Sequence, residues 1–254
     1  MNEKHAAISD HFNELKKKVL YILLFFLCAF IGSYIFSNEI YRFLLAPLSD
    51  YYATEGRKGS IIYTGLTEAF FTYIKVAFMS ALFFTIPFIA FQFFSFVSPG
   101  LNTGEKRVLV ACFLATPLLF LMGAFVAYYF IFPEAWKFFL SFENTSLENL
   151  PIKLEARISE YLSLSSQIIL AFGIAFQLPI AITLLNKIGL ISVSWLKKQR
   201  RFAIVTIFIV AAVITPPDVL SQLALASIMI LLYELSILLC IFFNNKNKES
   251  ASDV

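Results

Sequence analysis

Long blocks of apolar residues, separated by short polar connections, dominate the pattern of this chain. A helix needs about 20 apolar residues, with a range of roughly 17 to 25, to cross the hydrocarbon core of a membrane. Four blocks meet this length, and two weaker blocks follow them toward the C-terminus. The pattern predicts an all-α membrane protein with one integral membrane domain over residues 1–254. Its six predicted spans lie at about 19–36, 70–97, 108–132, 160–186, 201–214 and 219–243.

Proline positions and block lengths predict the shape of this bundle. Pro87, Pro117 and Pro179 lie inside spans, where each removes a backbone N–H and bends its helix, so three bent helices are expected to form a concave face. The fifth block, Phe202 to Ile214, would reach only about 20 Å against a hydrocarbon core of about 30 Å. We therefore expect short fifth and sixth helices that thin the bilayer locally or are covered by neighbouring protein.

Composition supports the membrane assignment and predicts the orientation. Of 254 residues, 59% are hydrophobic and 15% charged, and the mean hydropathy is +0.78, whereas soluble domains are about 25% charged. Thirteen Lys and Arg residues lie on the side of the termini and six on the other, which predicts cytoplasmic termini by the positive-inside rule. The first block has no small-residue cleavage site and is interpreted as a retained helix. This orientation signal accounts for the basic residues, so the net charge of +3 does not require a nucleic-acid partner.

Cysteine and histidine usage argues against several classes of chemistry. Cys28, Cys112 and Cys240 lie at unrelated positions in apolar blocks, as isolated buried thiols do. Both histidines, His5 and His11, precede the first span, so a histidine base for a nucleophile would have to come from the N-terminal segment. The sequence has no P-loop for ATP. We expect no enzymatic activity, no metal site and no cofactor.

Two polar features are not explained by a plain helical bundle. The connection "SPGLNTGEKRV", residues 98–108, places Glu105 beside Lys106 and Arg107 between two apolar blocks. Gln177 lies within the fourth block, at a depth where lipid cannot satisfy its amide. Its side chain should face a hydrated hollow or another helix, and a helix-to-helix hydrogen bond fits the sequence equally well.

Six motifs, in this order and spacing, resemble the TatC family, the multi-spanning subunit of the twin-arginine protein translocase. The resemblance runs from about Ser9 to Phe243. The motifs are "HFNELKKKVL" before the first span, "APL" at residues 46–48, "IPFIAFQFFSFVSPGLNTGEKR" at 86–107, "AYYFIFP" at 127–133, "FGIAFQLPIAI" at 172–182 and "TPPDVLSQ" at 215–222. The resemblance implies a cupped bundle of six helices in the bacterial cytoplasmic (inner) membrane.

The resemblance also implies a binding site for the twin-arginine motif of signal peptides, at the N-terminal segment and the first cytoplasmic loop. Two carboxylates there would offer bidentate partners to two guanidinium groups. A solvated surface ion pair, worth under about 1 kcal/mol, is the alternative from the residues alone. The matching signal-peptide positions are Glu14, Leu15, Lys16, Phe96 and Glu105, and further functional positions are Pro47, Tyr128, Gln177 and Asp218.

Two positions depart from the family pattern. The family commonly has arginine at the position of Lys16. This chain therefore keeps the positive charge there but lacks the planar guanidinium group with its parallel N–H donors. The family often has an acidic residue at the position of Gln177, which in this chain cannot titrate. This second departure argues against a proton relay at that position.

The function implied by the resemblance is that of a non-enzymatic receptor and core subunit of the translocase. Its implied partners are the single-span TatA and TatB subunits, further copies of itself, membrane lipid and folded cargo proteins with twin-arginine signals, with the proton-motive force as energy source. A small secondary transporter or channel is the alternative function. Transporters of that kind tend to have internal repeats and paired broken helices, neither of which is visible in this sequence.

Overall fold

The chain is almost entirely helical. In the computed structural model the backbone is described for residues 2–54, 61–97, 103–143, 155–215 and 219–252, and the side chains for 12–54, 61–96, 109–143, 155–215 and 219–243. The helices are α1 Asn2–Ile35, α2 Ser37–Thr54, α3 Glu68–Val97, α4 Thr103–Val126, a π-helix Ala127–Ile131, α5 Phe132–Leu140, α6 Ile158–Ala175, α7 Leu178–Lys187, α8 Val193–Lys198, α9 Arg200–Ile214 and α10 Val219–Ser252.

Within the described residues, five helical segments are long and apolar enough to cross a membrane. They are Phe12–Ile35, Glu68–Phe96, Leu109–Leu140, Ile158–Lys187 and Val219–Phe243. The third joins α4, the π-helix and α5, and the fourth joins α6 and α7 across a turn at Phe176 and Gln177. Pro179 follows this turn directly, as expected for a residue that interrupts the helical hydrogen bonds. These segments make the protein a multi-pass membrane protein.

The last two helices differ in length. Helix α9 has 15 residues, or about 22 Å at 1.5 Å per residue, and its length leaves it outside the five segments above. The prediction of a short sixth helix was wrong, because α10 runs for 34 residues. The apolar part of α10 ends near Phe243. The polar residues that follow continue the same helix, because they include no proline or glycine that would end it.

Helices α1 and α3 pack antiparallel through aromatic side chains. The rings of Phe25 and Phe88 stack at a centroid distance of 4.3 Å. Those of Phe26 and Phe78 meet edge to face at 5.4 Å. Aromatic pairs in these geometries add about 0.5 to 1.5 kcal/mol to the burial of their area. We call the end of the bundle where α1 begins and α3 ends the N-terminal end, and the opposite end the α2 end.

Helix α6 lies at the centre of the core, and glycine lets it approach α4 closely. Its side chains Ile168, Ala171 and Phe172 are fully buried. A Cβ atom on Gly123 would lie 2.5 Å from the Phe172 carbonyl oxygen, and a Cβ atom on Gly173 would meet the Phe120 ring at 2.7 Å. Small residues of this kind drive close helix packing in membranes, where van der Waals contact replaces the hydrophobic effect.

The α2 end carries a short β-bridge that the sequence did not predict. Strands β1 (Ile61–Ile62) and β2 (Ala156–Arg157) pair in parallel, with Ile61 opposite Ala156. Strand β2 directly precedes α6, and β1 lies five residues before α3. The bridge therefore fixes the starting points of α3 and α6 beside each other.

Candidate functional site

The N-terminal end joins the beginning of α1 to the last turn of α3. The Lys18 ammonium lies 3.5 Å from the Glu14 carboxylate and donates a hydrogen bond of 2.8 Å to the Ser95 hydroxyl. The Lys18 side chain is 13% exposed, whereas that of Glu14 is 42% exposed. Lys18 is therefore held against α3, and the carboxylate of Glu14 is left accessible.

The other predicted signal-peptide residues belong to helical turns at the same end of the bundle. Leu15 and Lys16 are exposed on α1, and Phe96 is half-buried in the last turn of α3, directly after Ser95. Glu105 lies in the first turn of α4, where its side chain is outside the described residues. The structure thus brings Glu14 to the same end of the bundle as Phe96 and the helical turn that contains Glu105.

This arrangement can bind a cation that carries several hydrogen-bond donors. The i,i+4 ion pair between Glu14 and Lys18 is solvent-exposed on one side, so it contributes at most about 0.5 kcal/mol. A guanidinium group offers two parallel N–H donors to a carboxylate, where an ammonium offers a single point charge. An incoming arginine can therefore displace Lys18 from Glu14 at little cost, while Ser95 still holds the lysine.

At the α2 end, the predicted residues Pro47 and Tyr128 meet through one backbone carbonyl. Pro47 lies inside α2 and has no N–H, so the carbonyl of Phe43 lacks its ordinary i+4 partner. The Tyr128 hydroxyl donates to that carbonyl oxygen at 2.8 Å. The Phe43 and Tyr128 rings also stack, with a centroid distance of 4.3 Å and an interplanar angle of 5°. Tyr128 therefore supplies the hydrogen bond that proline removes.

Tyr128 is presented by a π-helix, a form that is rare and often found at functional sites. The π-helix ends just before Pro133, whose missing N–H interrupts the helical ladder at that point. The extra residue in the turn changes the direction in which the following side chains point. The Tyr128 ring, inside this turn, faces α2, where a second tyrosine, Tyr161, donates to the Leu44 carbonyl at 2.8 Å.

Gln177 lies in the joint between the α6–α7 turn and α4. Its amide nitrogen donates to the carbonyl oxygens of Thr116, at 3.2 Å, and of Gly173, at 3.5 Å. The side chain is partly buried. The geometry is that of the helix-to-helix hydrogen bond, the second of the two interpretations that the sequence left open. Access of water to this amide stays a prediction.

A cavity of about 540 Å³ opens between α2, α3, the α4 segment and α6. Its walls are apolar apart from Glu39, Ser80, Ser166 and the tyrosines Tyr128 and Tyr129, and Gln177 is not part of them. The Phe43 and Tyr128 rings form part of its wall. The Pro47 and Tyr128 joint therefore shapes the cavity, and a concave face formed by three bent helices stays a prediction.

A further polar cluster at the α2 end was missed by sequence reasoning. The Glu68 carboxylate accepts hydrogen bonds from the Ser159 hydroxyl at 2.6 Å, from the Thr64 N–H at 2.7 Å and from the Gly65 N–H at 3.2 Å. It connects the first turn of α3 to the first turn of α6. An acidic residue directly after a glycine-containing turn was the available signal, but its partner is 91 positions away.

Two remaining expectations concern metal ligands and Asp218, which lies between α9 and α10 in the sequence. Within the described residues, no three His, Cys, Asp or Glu side chains cluster as metal ligands would. Asp218 lies in 216–218, outside the described residues.

Comparison with known proteins finds one family. The family model of the Sec-independent protein translocase protein TatC matches residues 10–227. The TatC protein of Rickettsia prowazekii (strain Madrid E) is 48% identical over 239 residues, covering 94% of this chain and 94% of its own length. The TatC protein of Magnetococcus marinus (strain ATCC BAA-1437 / JCM 17883 / MC-1) is 41% identical, covering 92% and 84%.

Solved structures agree in fold. A crystal structure of the twin-arginine translocase receptor TatC superposes with a TM-score of 0.78 at 31% identity, covering 91% of this chain and 98% of the solved one. A second crystal structure of that receptor, in DDM, gives a TM-score of 0.77 at the same identity, with 90% and 98% covered.

Proposed function

Because the chain belongs to the TatC family of Sec-independent protein translocase proteins, we propose that it is a receptor and core subunit of the twin-arginine translocase. It is a multi-pass protein of the bacterial inner membrane and a component of a protein translocation complex. In the proposed role it binds the twin-arginine motif of signal peptides at its N-terminal end and helps to carry folded cargo across the membrane with the proton-motive force. This role involves no catalysed reaction.

The observation that supports the role is the accessible Glu14 carboxylate beside Ser95 and Phe96. Its present partner, Lys18, has a second hydrogen bond to Ser95 and is therefore already held when a ligand takes its place. Leu15, next to Glu14 on α1, is exposed, and Phe96 is half-buried at the same end of the bundle, so both add apolar surface to this end.

Glu105 is proposed as the second carboxylate. Its position in the first turn of α4 places it within the same end of the bundle as the α1–α3 joint. Two carboxylates on two helices can each take one guanidinium group, and this division would explain a preference for a pair of arginines. Lys16 keeps the positive charge on α1 without the planar guanidinium group, so its contact with the signal peptide is proposed to be rearranged.

The remaining sites serve the later steps of transport in this proposal. The Pro47 and Tyr128 joint holds α2 over the cavity, and Gln177 fixes α4 against the α6–α7 turn. Asp218 is proposed to act in the connection between α9 and α10 at the α2 end. TatA, TatB and further copies of the chain are the proposed partners in the membrane, with six spans and cytoplasmic termini as the proposed topology.

The test is the affinity of the purified chain, in detergent, for a fluorescent twin-arginine signal peptide. We expect Glu14→Gln to weaken binding about tenfold, since one charge-assisted hydrogen bond is worth roughly 1.5 to 3 kcal/mol and the site is partly exposed. Glu134→Gln is the matched control, because Glu134 is also exposed and also paired with a lysine on its own helix, at the α2 end.

A double-mutant cycle tests the shared site. If Glu14 and Glu105 share the binding of one peptide, each single Gln variant should keep partial binding and the double variant should lose it, by more than the product of the two single losses. Strict additivity, or a Glu14→Gln variant that binds like Glu134→Gln, would refute the proposed site.

A further inference from the structure

A concentration of unopposed positive charge surrounds α8. Lys187 ends α7, Lys197 and Lys198 end α8, and Arg200 and Arg201 begin α9. The sequence has no Asp or Glu between Glu160 and Asp218. We call these five residues the basic corner.

Among the described residues, only one of these five side chains, Arg200, forms an ion pair with α10. The Arg200 guanidinium lies 2.7 Å from the Glu234 carboxylate. Within the described part of the chain, no carboxylate lies within ion-pair distance of Lys187, Lys197, Lys198 or Arg201. The last three are exposed, and Lys187 is half-buried. Four positive charges therefore lie together at a membrane end without a described protein partner.

The short helix α8 is fixed as a rigid platform for these charges. The Ser192 hydroxyl accepts a hydrogen bond of 3.2 Å from the Trp195 N–H and caps the helix. The next residue, Leu196, is buried, and its carbonyl accepts a hydrogen bond of 2.8 Å from the Tyr233 hydroxyl on α10. With Leu196 facing the core, Trp195 and the two lysines face outward.

An exposed tryptophan and an apolar stripe adjoin the basic corner. Trp195 is about half exposed, and indole rings prefer the interface between headgroups and hydrocarbon. Phe202, Val205, Ile209 and Val213 recur at intervals of three and four on α9, so they share one face, and they are 59% to 80% exposed. The stripe begins one residue after Arg201.

The short length of α9 brings lipid headgroups toward this surface. At about 22 Å, a 15-residue helix is shorter than the hydrocarbon core of about 30 Å. A short span is matched by local thinning of the bilayer, which draws headgroups toward its ends. At its first end they meet the basic corner.

We propose that the basic corner and the α9 stripe form a binding site for one anionic phospholipid, with its phosphate on Lys197, Lys198 and Arg201 and an acyl chain along the stripe. Each Lys or Arg near a membrane surface favours anionic lipid about fivefold. A protein partner would need acidic side chains to oppose this charge, whereas an anionic lipid supplies both the charge and the apolar chain. The site shares no residue with the proposed signal-peptide site at Glu14, Leu15, Lys16, Phe96 and Glu105.

Trp195 reports on this site directly. The sequence has two tryptophans, and the other, Trp136, is buried and stacked on Tyr161. Trp136→Phe keeps a ring at that stack and leaves Trp195 as the emitting residue. The full chain is reconstituted in mixed phosphatidylglycerol and phosphatidylcholine vesicles, with brominated acyl chains on one lipid at a time. Should Trp136→Phe not fold, the difference between the emission of the unmodified chain and that of Trp195→Phe gives the same signal.

We expect brominated phosphatidylglycerol to quench Trp195 at least threefold more effectively than brominated phosphatidylcholine at equal mole fraction. The triple variant Lys197→Gln, Lys198→Gln, Arg201→Gln should abolish this preference. The matched control Arg42→Gln, Lys137→Gln, Arg157→Gln removes three charges elsewhere and should keep it. In the unmodified chain, 0.5 M salt should reduce the preference, since screening is strong at that ionic strength.

Three results would overturn the proposal. Equal quenching by the two lipids would mean that the corner does not select anionic headgroups. A preference that survives the triple variant would locate the lipid elsewhere. Absence of quenching by either lipid would mean that another protein surface, including a second copy of the chain, covers Trp195.

Discussion

Tyr128→Phe tests the joint between α2 and the π-helix by removing a single hydroxyl. The stacked ring against Phe43 is kept, and the hydrogen bond to the Phe43 carbonyl is lost. Because Pro47 provides no N–H to that carbonyl, the oxygen is left without its two strongest candidate donors. The loss should therefore be an unsatisfied carbonyl at a partly buried position, and not merely the net value of one hydrogen bond.

The expected magnitude follows from this difference. A neutral hydrogen bond contributes about 0.5 to 1.5 kcal/mol net, whereas a buried polar group without a partner costs about 1 to 3 kcal/mol. Tyr128 is itself buried, and the hydrogen bond that its hydroxyl makes to the carbonyl is partly buried. We expect Tyr128→Phe to lower the free energy of unfolding by about 2 kcal/mol.

Pro47→Ala supplies the second half of a double-mutant cycle. Alanine restores an N–H that can bond to the Phe43 carbonyl, at a cost of about 0.4 to 1 kcal/mol from the greater freedom of the unfolded chain. In that background Tyr128→Phe should cost only about 0.5 kcal/mol, so the coupling should exceed about 1 kcal/mol. The measurement is the free energy of unfolding in mixed micelles, titrated with dodecyl sulfate.

Tyr129→Phe is the control, since Tyr129 is the exposed neighbour of Tyr128 and should change stability by less than about 0.5 kcal/mol. An equal loss from Tyr128→Phe in the unmodified chain and in the Pro47→Ala variant would refute the idea that the hydroxyl replaces the missing N–H.

Three further predictions concern the helix joints. Gln177→Leu should cost only about 0.6 kcal/mol in unfolding experiments, as membrane hydrogen bonds between helices do on average, and Gln177→Glu should cost more because its carboxylate would face carbonyl oxygens. A smaller loss of stability for Gln177→Glu than for Gln177→Leu, together with labelling of Gln177→Cys by a water-soluble maleimide, would instead support the hydrated hollow. Gly123→Ala should destabilise by about 1 to 3 kcal/mol through its clash with Phe172, whereas Gly32→Ala, which meets nothing within 4 Å, should not. Glu68→Gln should speed hydrogen exchange at residues 61–66 and 156–159, and unchanged exchange would show that its carboxylate does not tie the two helix starts.

Local sequence features predicted much of the fold. Apolar blocks predicted the five long helical segments, because block length is set by the bilayer and not by tertiary contacts. Pro179 predicted a bend for a similarly local reason, and the fourth segment is interrupted there, whereas Pro87 and Pro117 lie inside the continuous helices α3 and α4. The length of α10 could not be predicted in this way, since its polar end contains no residue that stops a helix and the apolar pattern ends earlier.

The candidate sites needed the structure because their partners are far apart in the sequence. Tyr128 and Phe43 are 85 positions apart, and Lys18 and Ser95 are 77 apart. Family motifs marked Pro47 and Tyr128 individually, but only the three-dimensional arrangement connects them through one carbonyl. For Gln177 the sequence predicts that the amide has a hydrogen-bond partner, because it lies at membrane depth. It does not predict whether that partner is another helix or water.

The most direct test of the proposed function compares two peptides on one protein. The dissociation constants of a twin-arginine signal peptide and its twin-lysine version are measured with the detergent-purified chain. Lysine keeps the charge and loses the planar fork, so the twin-arginine peptide should bind at least about tenfold more tightly. Equal dissociation constants for the two peptides would contradict a receptor that recognises the arginine pair through Glu14 and Glu105.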